Sequence, residues 1–401
     1  MHVLTIAQYF PPDMGGGSTR ASNVVKGLLN KGCRVTAICA FPHYPHGKVP
    51  TKYRGKLIVC ERAGDMKVLR VYVPSIPHSS IANRVILHVC FIVSSLFALP
   101  FVENFDIIWA ANPNLFCFYS ALVYAFIKQK PIVRNVDDLW PEVFYELGLV
   151  KTGLMRMLLD FLAWLSYVLP AAITPISTGY KRRIVEKYGV RAQRVHVVEV
   201  GVDSVEPLDR SENEKNQFVV LYSGVLGYGY DFDIVFDAAR LLEKYENIVF
   251  VIRGVGELAV ELRKRIRELN LGNVVLDTQF LTPEKLSALL DSADAFLLPM
   301  ASLGVVDEGL PTKVFEYQAY GKPIVCVSGG EPARYIDATR SGLVVNPEDA
   351  YGFAEAIVRI YEDRNLAARL GWNGWRYVSE NLTAEKVGAR MCRLLTSIES
   401  R

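Results

Sequence analysis

The chain has 401 residues, 51% of them hydrophobic and 22% charged, which leaves room for two folded domains and excludes a disordered or fibrous protein. A net charge of +3 is too small to carry nucleic-acid binding but is compatible with rest on an anionic membrane. Seven scattered cysteines without CxxC or metal-ligand spacing exclude a disulfide framework and fit reduced thiols in the cytosol, and the apolar run at residues 1–7 is too short for a signal peptide.

Residues 2–8 read as a buried parallel strand. A glycine-bearing loop follows, then an amphipathic helix in which Val24, Leu28 and Leu29 share a face and Gly32 marks the stop. Arg34–Ala40 is the next strand. This unit lacks Gly-x-Gly-x-x-Gly, so a dinucleotide fingerprint is not supported. Gly15, Gly16 and Gly17 let backbone N–H groups approach a ligand closely; a flexible surface loop is the alternative. The loop at 41–47 carries His43 and His46 at a strand's C-terminal end, where open α/β sheets bind ligands. No third metal ligand is near, so an acceptor contact is the better reading. Residues 85–101 and 154–169 are nearly continuous apolar runs, to be read as core helices, a membrane-facing surface or spans of barely sufficient length. A strand at 105–110 is closed by Asn112-Pro-Asn, and one at 131–136 ends at Asp137 and Asp138. Two adjacent carboxylates raise each other's pKa or need cationic or hydroxyl partners; an Asx cap on the next helix is the alternative. A strand is expected at 195–200, and a polar linker at 209–216.

Phe218–Ser223 opens a second series of alternating strands and helices. Gly224, Gly227 and Gly229 precede a helix at 232–245, and a strand at 248–252 leads to Arg253-Gly254-Val255-Gly256. A helix at 258–269, the strand Val274–Asp277, a helix beginning at Phe280-Leu-Thr-Pro-Glu-Lys-Leu286 and the strand Ala295–Pro299 continue the alternation, which implies a second parallel sheet. The stretch 308–323 reads as a loop that becomes a short helix. Pro311 suits the first helical position, Gly321 fits just past the end, and Pro323 confirms the stop. The helix start at Pro311-Thr312 offers free N–H groups and a partial positive charge, and Lys313 adds a full one. Glu316, three residues on, shares that face and can accept two hydroxyl protons from a ribose. Together they describe a pocket for a nucleotide diphosphate; the bland alternative is a surface helix with a Lys–Glu pair.

The same stretch resembles the donor-binding motif of the retaining glycosyltransferases of family 4. Glu308 and Glu316 are separated by seven residues, and Ala319-Tyr-Gly-Lys-Pro-Ile-Val325 follows as in that family. Tyr9-Phe-Pro-Pro with Gly16, Gly17 and Arg20, Asp138-Leu-Trp-Pro141, and Gly201-Val-Asp203 resemble its other markers. Pro311-Thr-Lys-Val-Phe-Glu-Tyr317 looks most like the branch that builds surface polysaccharides, related to transferases for amino-sugar donors.

The resemblance implies an α/β protein of GT-B fold, with two Rossmann-like parallel-sheet domains facing a cleft. Residues 1–204 would form the acceptor-side domain, 205–382 the nucleotide-sugar domain, and 383–401 a helix crossing back to the first. It implies a metal-independent enzyme without cofactor. Such an enzyme moves a hexosyl or N-acetylhexosaminyl group from a nucleotide-diphosphate donor, UDP-type favoured, to a hydroxyl of a glycan or lipid-linked acceptor. The implied location is cytoplasmic, with peripheral contact to the inner face of the cell membrane, and nucleic acid is not a partner. Carried onto this chain, the catalytic set is Asp137, Asp138, Lys313 and Glu308. The donor-binding set is Gly16, Gly17, Arg20, Gly224, Arg253, Gly254, Phe280, Pro311, Thr312, Lys313 and Glu316. One departure matters. The family has Gly-Arg-Leu and then a Lys that together neutralise the leaving diphosphate, whereas this chain has Gly224-Val225-Leu226 and Tyr230. That load falls on Lys313, Arg253 and two helix N-termini. Two other readings stay open: a sugar-nucleotide 2-epimerase on the same fold, and a non-catalytic partner in a glycan-assembly complex.

Overall fold

The fold is that of a computed structural model, which describes residues 1–400 except 79, 112–116, 147, 149, 151–152 and 207–215. The turn expected at 112–114 and all but the last residue of the linker at 209–216 lie outside the described residues. The chain divides into two compact units, Met1–Asp203 with Leu382–Arg401, and Ser204–Asn381.

The strands of the first unit are β1 (His2–Ile6), β2 (Arg34–Ala40), β3 (Ile58–Ala63), β4 (Met66–Val71), β5 (Ile107–Ala110), β6 (Ile132–Val136) and β7 (Ala172–Pro175). They form one sheet in the order β3-β4-β2-β1-β5-β6-β7, parallel except for β3 against β4. Its helices are α1 (Gly16–Asn30), α2 (Ile81–Leu96), α3 (Cys117–Lys128), α4 (Glu142–Glu146), α5 (Leu154–Val168) and α6 (Thr178–Tyr188). Alternation along β1 sends Leu4 and Ile6 to one face, into a core with Leu87 and Phe91 of α2 and Phe118 and Tyr124 of α3. Val3 goes to the other face, with Val24 and Leu28 of α1. Burial on both faces is why these strands read as apolar runs rather than alternating ones.

The second unit holds β8 (Phe218–Ser223), β9 (Ile248–Arg253), β10 (Val274–Asp277), β11 (Ala295–Pro299), β12 (Ile324–Val327) and β13 (Gly342–Val345). All are parallel, in the order β10-β9-β8-β11-β12-β13. Its helices are α7 (Asp233–Leu241), α8 (Ala259–Glu268), α9 (Pro283–Ser292), α10 (Thr312–Ala319), α11 (Glu331–Thr339), α12 (Ala350–Glu362) and α13 (Arg364–Asn381). Strand order reverses between β8 and β11, and ligands of open α/β sheets bind beyond the strand ends at such a switch point.

The last helix, α14 (Ala384–Glu399), returns to the first unit and packs against α1. Val387, Met391 and Leu395 join Val24 and Leu28 in one core. The two backbones meet at paired glycines: a Cβ added to Gly388 would lie 2.1 Å from the Gly27 Cα.

Three sequence expectations are corrected. Residues 196–200 form no strand; only Val195 bridges Ile173. His196 and Val198 N–H groups bond the Ile173 and Pro175 carbonyls, but Pro175 has no N–H to give back, so no ladder forms. Pro311 is the cap of α10 rather than its first residue, because its ψ of 138° is extended. The helix expected at 232–245 ends at Leu241. No helix of the described residues is long and apolar enough to cross a membrane.

Candidate functional site

In the second unit, α10 starts beside the ends of β8 and β11, and Tyr317 fixes it there. Its hydroxyl donates to the Ser223 carbonyl (3.0 Å) and accepts from the Ser223 N–H (2.9 Å), while its ring stacks on Phe296 of β11 at 4.1 Å. Nothing in the sequence pattern pointed to this brace, which links residues 94 apart.

The brace sets Lys313 in an aromatic slot. Its Nζ lies 3.8 Å from the centre of the Tyr222 ring and 3.7 Å from that of Tyr230. The amine is buried and has no hydrogen-bond partner. Gly224 makes the slot passable, since a Cβ there would stand 2.7 Å from Nζ. Burial holds the Lys313 pKa well below the usual lysine range, against a smaller upward pull from Glu316. Glu316 is pushed up by burial and drawn back by Lys313 and Arg253. A buried ammonium without a hydrogen-bond partner is costly, which is the physical cause of that downward shift. The α10 cap, Pro311, supplies no side-chain hydrogen bond to the first-turn N–H groups.

Gly224 and Gly254 bring the ends of β8 and β9 together. Gly224 N–H bonds the Arg253 carbonyl (3.0 Å), and a Cβ on Gly254 would fall 1.7 Å from the Gly224 carbonyl oxygen. Arg253 reaches the Gln279 carbonyl through Nη2, and its buried Nε has no partner. The Phe280 ring beside it stands exposed. Lys313, Glu316, Gly224, Arg253 and Gly254 are thus gathered at one strand-end edge. Glu308 is engaged elsewhere: it follows Val305 in a short 3-10 turn and pairs with Arg334 at 3.6 Å, and Arg334 is also bound by Glu331.

In the first unit, Gly16 and Gly17 form the first turn of α1, again without a side-chain cap. Arg20, which the resemblance assigns to donor binding, has partners inside the unit. It is wholly buried, with Nε bonded to Asn135 Oδ1 (2.6 Å) and 3.1 Å from Asp137 Oδ1, and Nη2 donating to the Thr174 carbonyl. Its charge is used inside the unit, holding Asp137, which also accepts from Asn135 (2.8 Å). The Asx-cap alternative therefore fails for Asp137. Burial and then the Asp137 charge push Asp138 up to about 7. An unfolded aspartate ionises near 4, so between those values folding must keep a proton that the unfolded chain releases. Stability contributed at this site falls as pH rises through that window, and the full penalty is present above it. Asp138→Asn is expected to raise Tm at pH 8 and to leave it nearly unchanged at pH 4, read by thermal unfolding at both; equal shifts at the two pH values would contradict this.

The 41–47 loop is folded over Asp13, whose Oδ1 accepts the His43 and Tyr44 N–H groups (2.7 and 2.8 Å). The rings of Tyr9, His43 and His78 stack or tilt on one another. Burial pushes His43 down to about 4. Asp13, His43, Tyr44, His46 and Lys48 line a cavity of about 520 Å³. Among the described residues no group of three or more His, Cys, Asp or Glu could hold a metal ion.

Comparison with known proteins agrees with this architecture. The family described as "Glycosyltransferase Family 4" matches residues 14–206, and "Glycosyl transferases group 1" matches residues 205–376. The amylovoran biosynthesis glycosyltransferase AmsK of Erwinia amylovora is 25% identical over 191 residues, 47% of each chain. The GDP-mannose-dependent alpha-(1-6)-phosphatidylinositol monomannoside mannosyltransferase of Mycolicibacterium smegmatis is 29% identical over 160 residues, 39% of this chain and 42% of that one. The chain thus spans about half the length of the curated relatives it matches. The Anabaena protein Alr3699/HepE, solved in complex with UDP, superposes over 99% of this chain and 100% of its own with a TM-score of 0.69 at 17% identity, a likeness of fold. Two parallel-sheet units, and family matches that run through both, lead to one conclusion: the chain belongs to glycosyltransferase family 4 and has the GT-B fold.

Proposed function

We propose that the protein is a retaining, metal-independent glycosyltransferase that moves a hexosyl or N-acetylhexosaminyl group from a UDP-type donor to a hydroxyl of a glycan or lipid-linked acceptor. The observation that carries this reading is the buried, unpartnered amine of Lys313 at the start of α10, with Glu316 one turn behind it. In this reading Lys313, Arg253 and the α10 N–H groups hold the diphosphate, and Glu316 takes the ribose hydroxyls. Phe280 lies along the base, Gly224 and Gly254 leave room for the phosphates, and Glu308 touches sugar hydroxyls from its place beside Arg334. The anomeric carbon–oxygen bond to the diphosphate breaks as the acceptor oxygen bonds on the same face. The acceptor's proton passes to the departing diphosphate, so no protein nucleophile is required. Asp138 meets the acceptor hydroxyl or the transferred sugar, Asp137 and Arg20 position it, and the cavity at His43 and Tyr44 receives the acceptor. Solved relatives bound to UDP and UDP-glucose support the choice of donor. Relatives named for polysaccharide synthesis support the class of acceptor. The place of action is the cytoplasmic side of a membrane.

A panel of UDP- and GDP-sugars assayed with membrane lipid acceptors tests the proposal. Turnover with a UDP-sugar is expected, and Glu316→Ala should weaken UDP binding by roughly 10- to 100-fold, the value of hydrogen bonds to a charged group. A second reading, a nucleotide-binding partner without catalysis, draws on Val225 and Tyr230 standing where the family has cations. Binding of UDP with no turnover of any donor would favour it.

A further inference from the structure

Two cysteines that stand 359 residues apart meet in the first unit: the Cys33 and Cys392 sulfurs are 3.6 Å from one another. The turn after α1 fixes the first. Gly32, at a φ of +76°, swings the chain toward β2, and the Cys33 N–H bonds the Leu28 carbonyl (3.0 Å). The second lies on α14, one turn beyond Gly388, and the close approach of Gly388 to Gly27 brings that turn down onto α1. Cys33 is buried in the core that holds Val387, Met391 and Leu395, and the half-buried Cys392 packs against the same core. Other buried thiols of this unit have different partners: Cys117 donates to Gln8 Oε1 (3.4 Å), and Cys39 accepts from Arg70 Nη1 (3.6 Å).

The sulfurs of a disulfide lie roughly 2 Å apart. Each sulfur of this pair has to move by less than about 1 Å to reach that, the range of a small χ1 adjustment in a side chain with a single rotor. Burial, with the neighbouring thiol adding to it, pushes Cys33 up to about 11. Cys33 is therefore held as a thiol at neutral pH, and the first attack falls to Cys392, the sulfur that solvent reaches. The place of the pair gives a bond there its consequence. The last helix rejoins the first unit only after the chain has passed through all of the second. Its hold is packing at Val387, Met391 and Leu395, flanked by Arg390 on Glu199 (2.9 Å) and Lys31 on Glu385 (3.4 Å). A bond between residues 33 and 392 closes a loop around the entire second unit, and long loops restrict the unfolded chain most.

We propose that Cys33 and Cys392 form a thiol–disulfide modification site, closed by oxidised glutathione and reopened by thiols, that locks α14 onto the first unit. The Cys392 thiolate attacks one sulfur of the oxidant, whose S–S bond breaks as one glutathione thiolate leaves. The Cys33 sulfur, its proton lost to solvent, then attacks the Cys392 sulfur, and the second glutathione leaves. Two protein thiols are oxidised to one disulfide while one glutathione disulfide is reduced to two thiols. The cysteines still make no disulfide framework; this pair becomes adjacent only because the last helix returns. The site is separate from the donor pocket, and its test needs no turnover.

The full chain is incubated at pH 8 with oxidised glutathione, free thiols are then alkylated, and linked peptides are read by mass spectrometry, with thermal unfolding before and after dithiothreitol. The wild type is expected to give a Cys33–Cys392 linked peptide. The Cys60→Ser, Cys90→Ser pair, which lacks the more accessible thiols open to simple adducts, should give the same peptide with the loss of two thiols. In both proteins closure should raise Tm by at least roughly 3 °C, and dithiothreitol should reverse it. Cys392→Ser and Cys392→Ala should show neither the peptide nor the rise. Glutathione retained on Cys392 without a linked peptide, a link that forms only in denaturant, or closure that leaves Tm where it was overturns the proposal.

Discussion

Lys313→Met is expected to lower kcat/KM for the nucleotide-sugar donor by roughly 10²- to 10³-fold, the scale on which one preorganised donor to a developing oxyanion acts. Methionine keeps the length and apolar stem that fill the slot between Tyr222 and Tyr230, so the fold should be retained and even stabilised. The native chain buries an amine there with no hydrogen-bond partner, and removing a polar group left unbonded in a buried site relieves a cost. Lower activity with an unchanged or higher Tm separates a ligand-binding role from a structural one. Steady-state kinetics and thermal unfolding on the same preparation check both; a variant with wild-type kcat/KM would remove Lys313 from the chemistry. Lys313→Arg is not a substitute, because even one added Cβ at Gly224 would stand 2.7 Å from the amine and a guanidinium is broader.

Gly388→Val, away from the site, is expected to be strongly destabilising. The added Cβ would stand 2.1 Å from the Gly27 Cα, a contact between main chains that no rotamer change relieves. The helices α1 and α14 must separate, which loosens Val387, Met391 and Leu395 from Val24 and Leu28. Overpacking of this sort costs about 1–3 kcal/mol, and more where backbone must move. For a domain of this size that is a fall in Tm of roughly 5–10 °C. Arg393→Ala, on the exposed side of the same helix, should leave Tm within about a degree, as surface changes do. Circular dichroism melts of the two variants make the comparison, and equal Tm values would show that the crossing tolerates a side chain.

The sequence made the architecture legible because local signals and tertiary roles coincide in it. Buried parallel strands read as short apolar runs, and glycine and proline bracket the helices, as Gly321 and Pro323 do after α10. The stretch 196–200 misled for a physical reason: its valines fit a strand, but its neighbour is the edge strand β7, whose Pro175 cannot return a hydrogen bond. The pocket was legible only in part. Lys313 and Glu316 stand three residues apart, so a helix brings them together from sequence alone. The slot does not follow from any spacing, since Tyr222, Tyr230 and Lys313 meet only when β8 and α10 pack. Tyr230 drew notice only as a missing lysine, while its ring faces the lysine that is present. Arg20 lies far from Asp137 in the chain, and nothing local foretold that its Nε would hold that carboxylate.

The charge state of Lys313 tests the central claim most directly. Burial holds its amine well below the usual lysine range, with Glu316 as the carboxylate beside it and Tyr222, Tyr230 and Tyr317 as the other titratable groups around it. A bound diphosphate, already ionised at pH 8, acts against that downward shift and is expected to draw protons onto the amine. Calorimetric titration of UDP at pH 8 in two buffers of different ionisation enthalpy reads this proton. The account predicts uptake on binding by the wild type, affinity that weakens as pH rises, and loss of both the uptake and most of the affinity in Lys313→Met. UDP binding that is equally tight in the variant, with no buffer dependence in either protein, would contradict it.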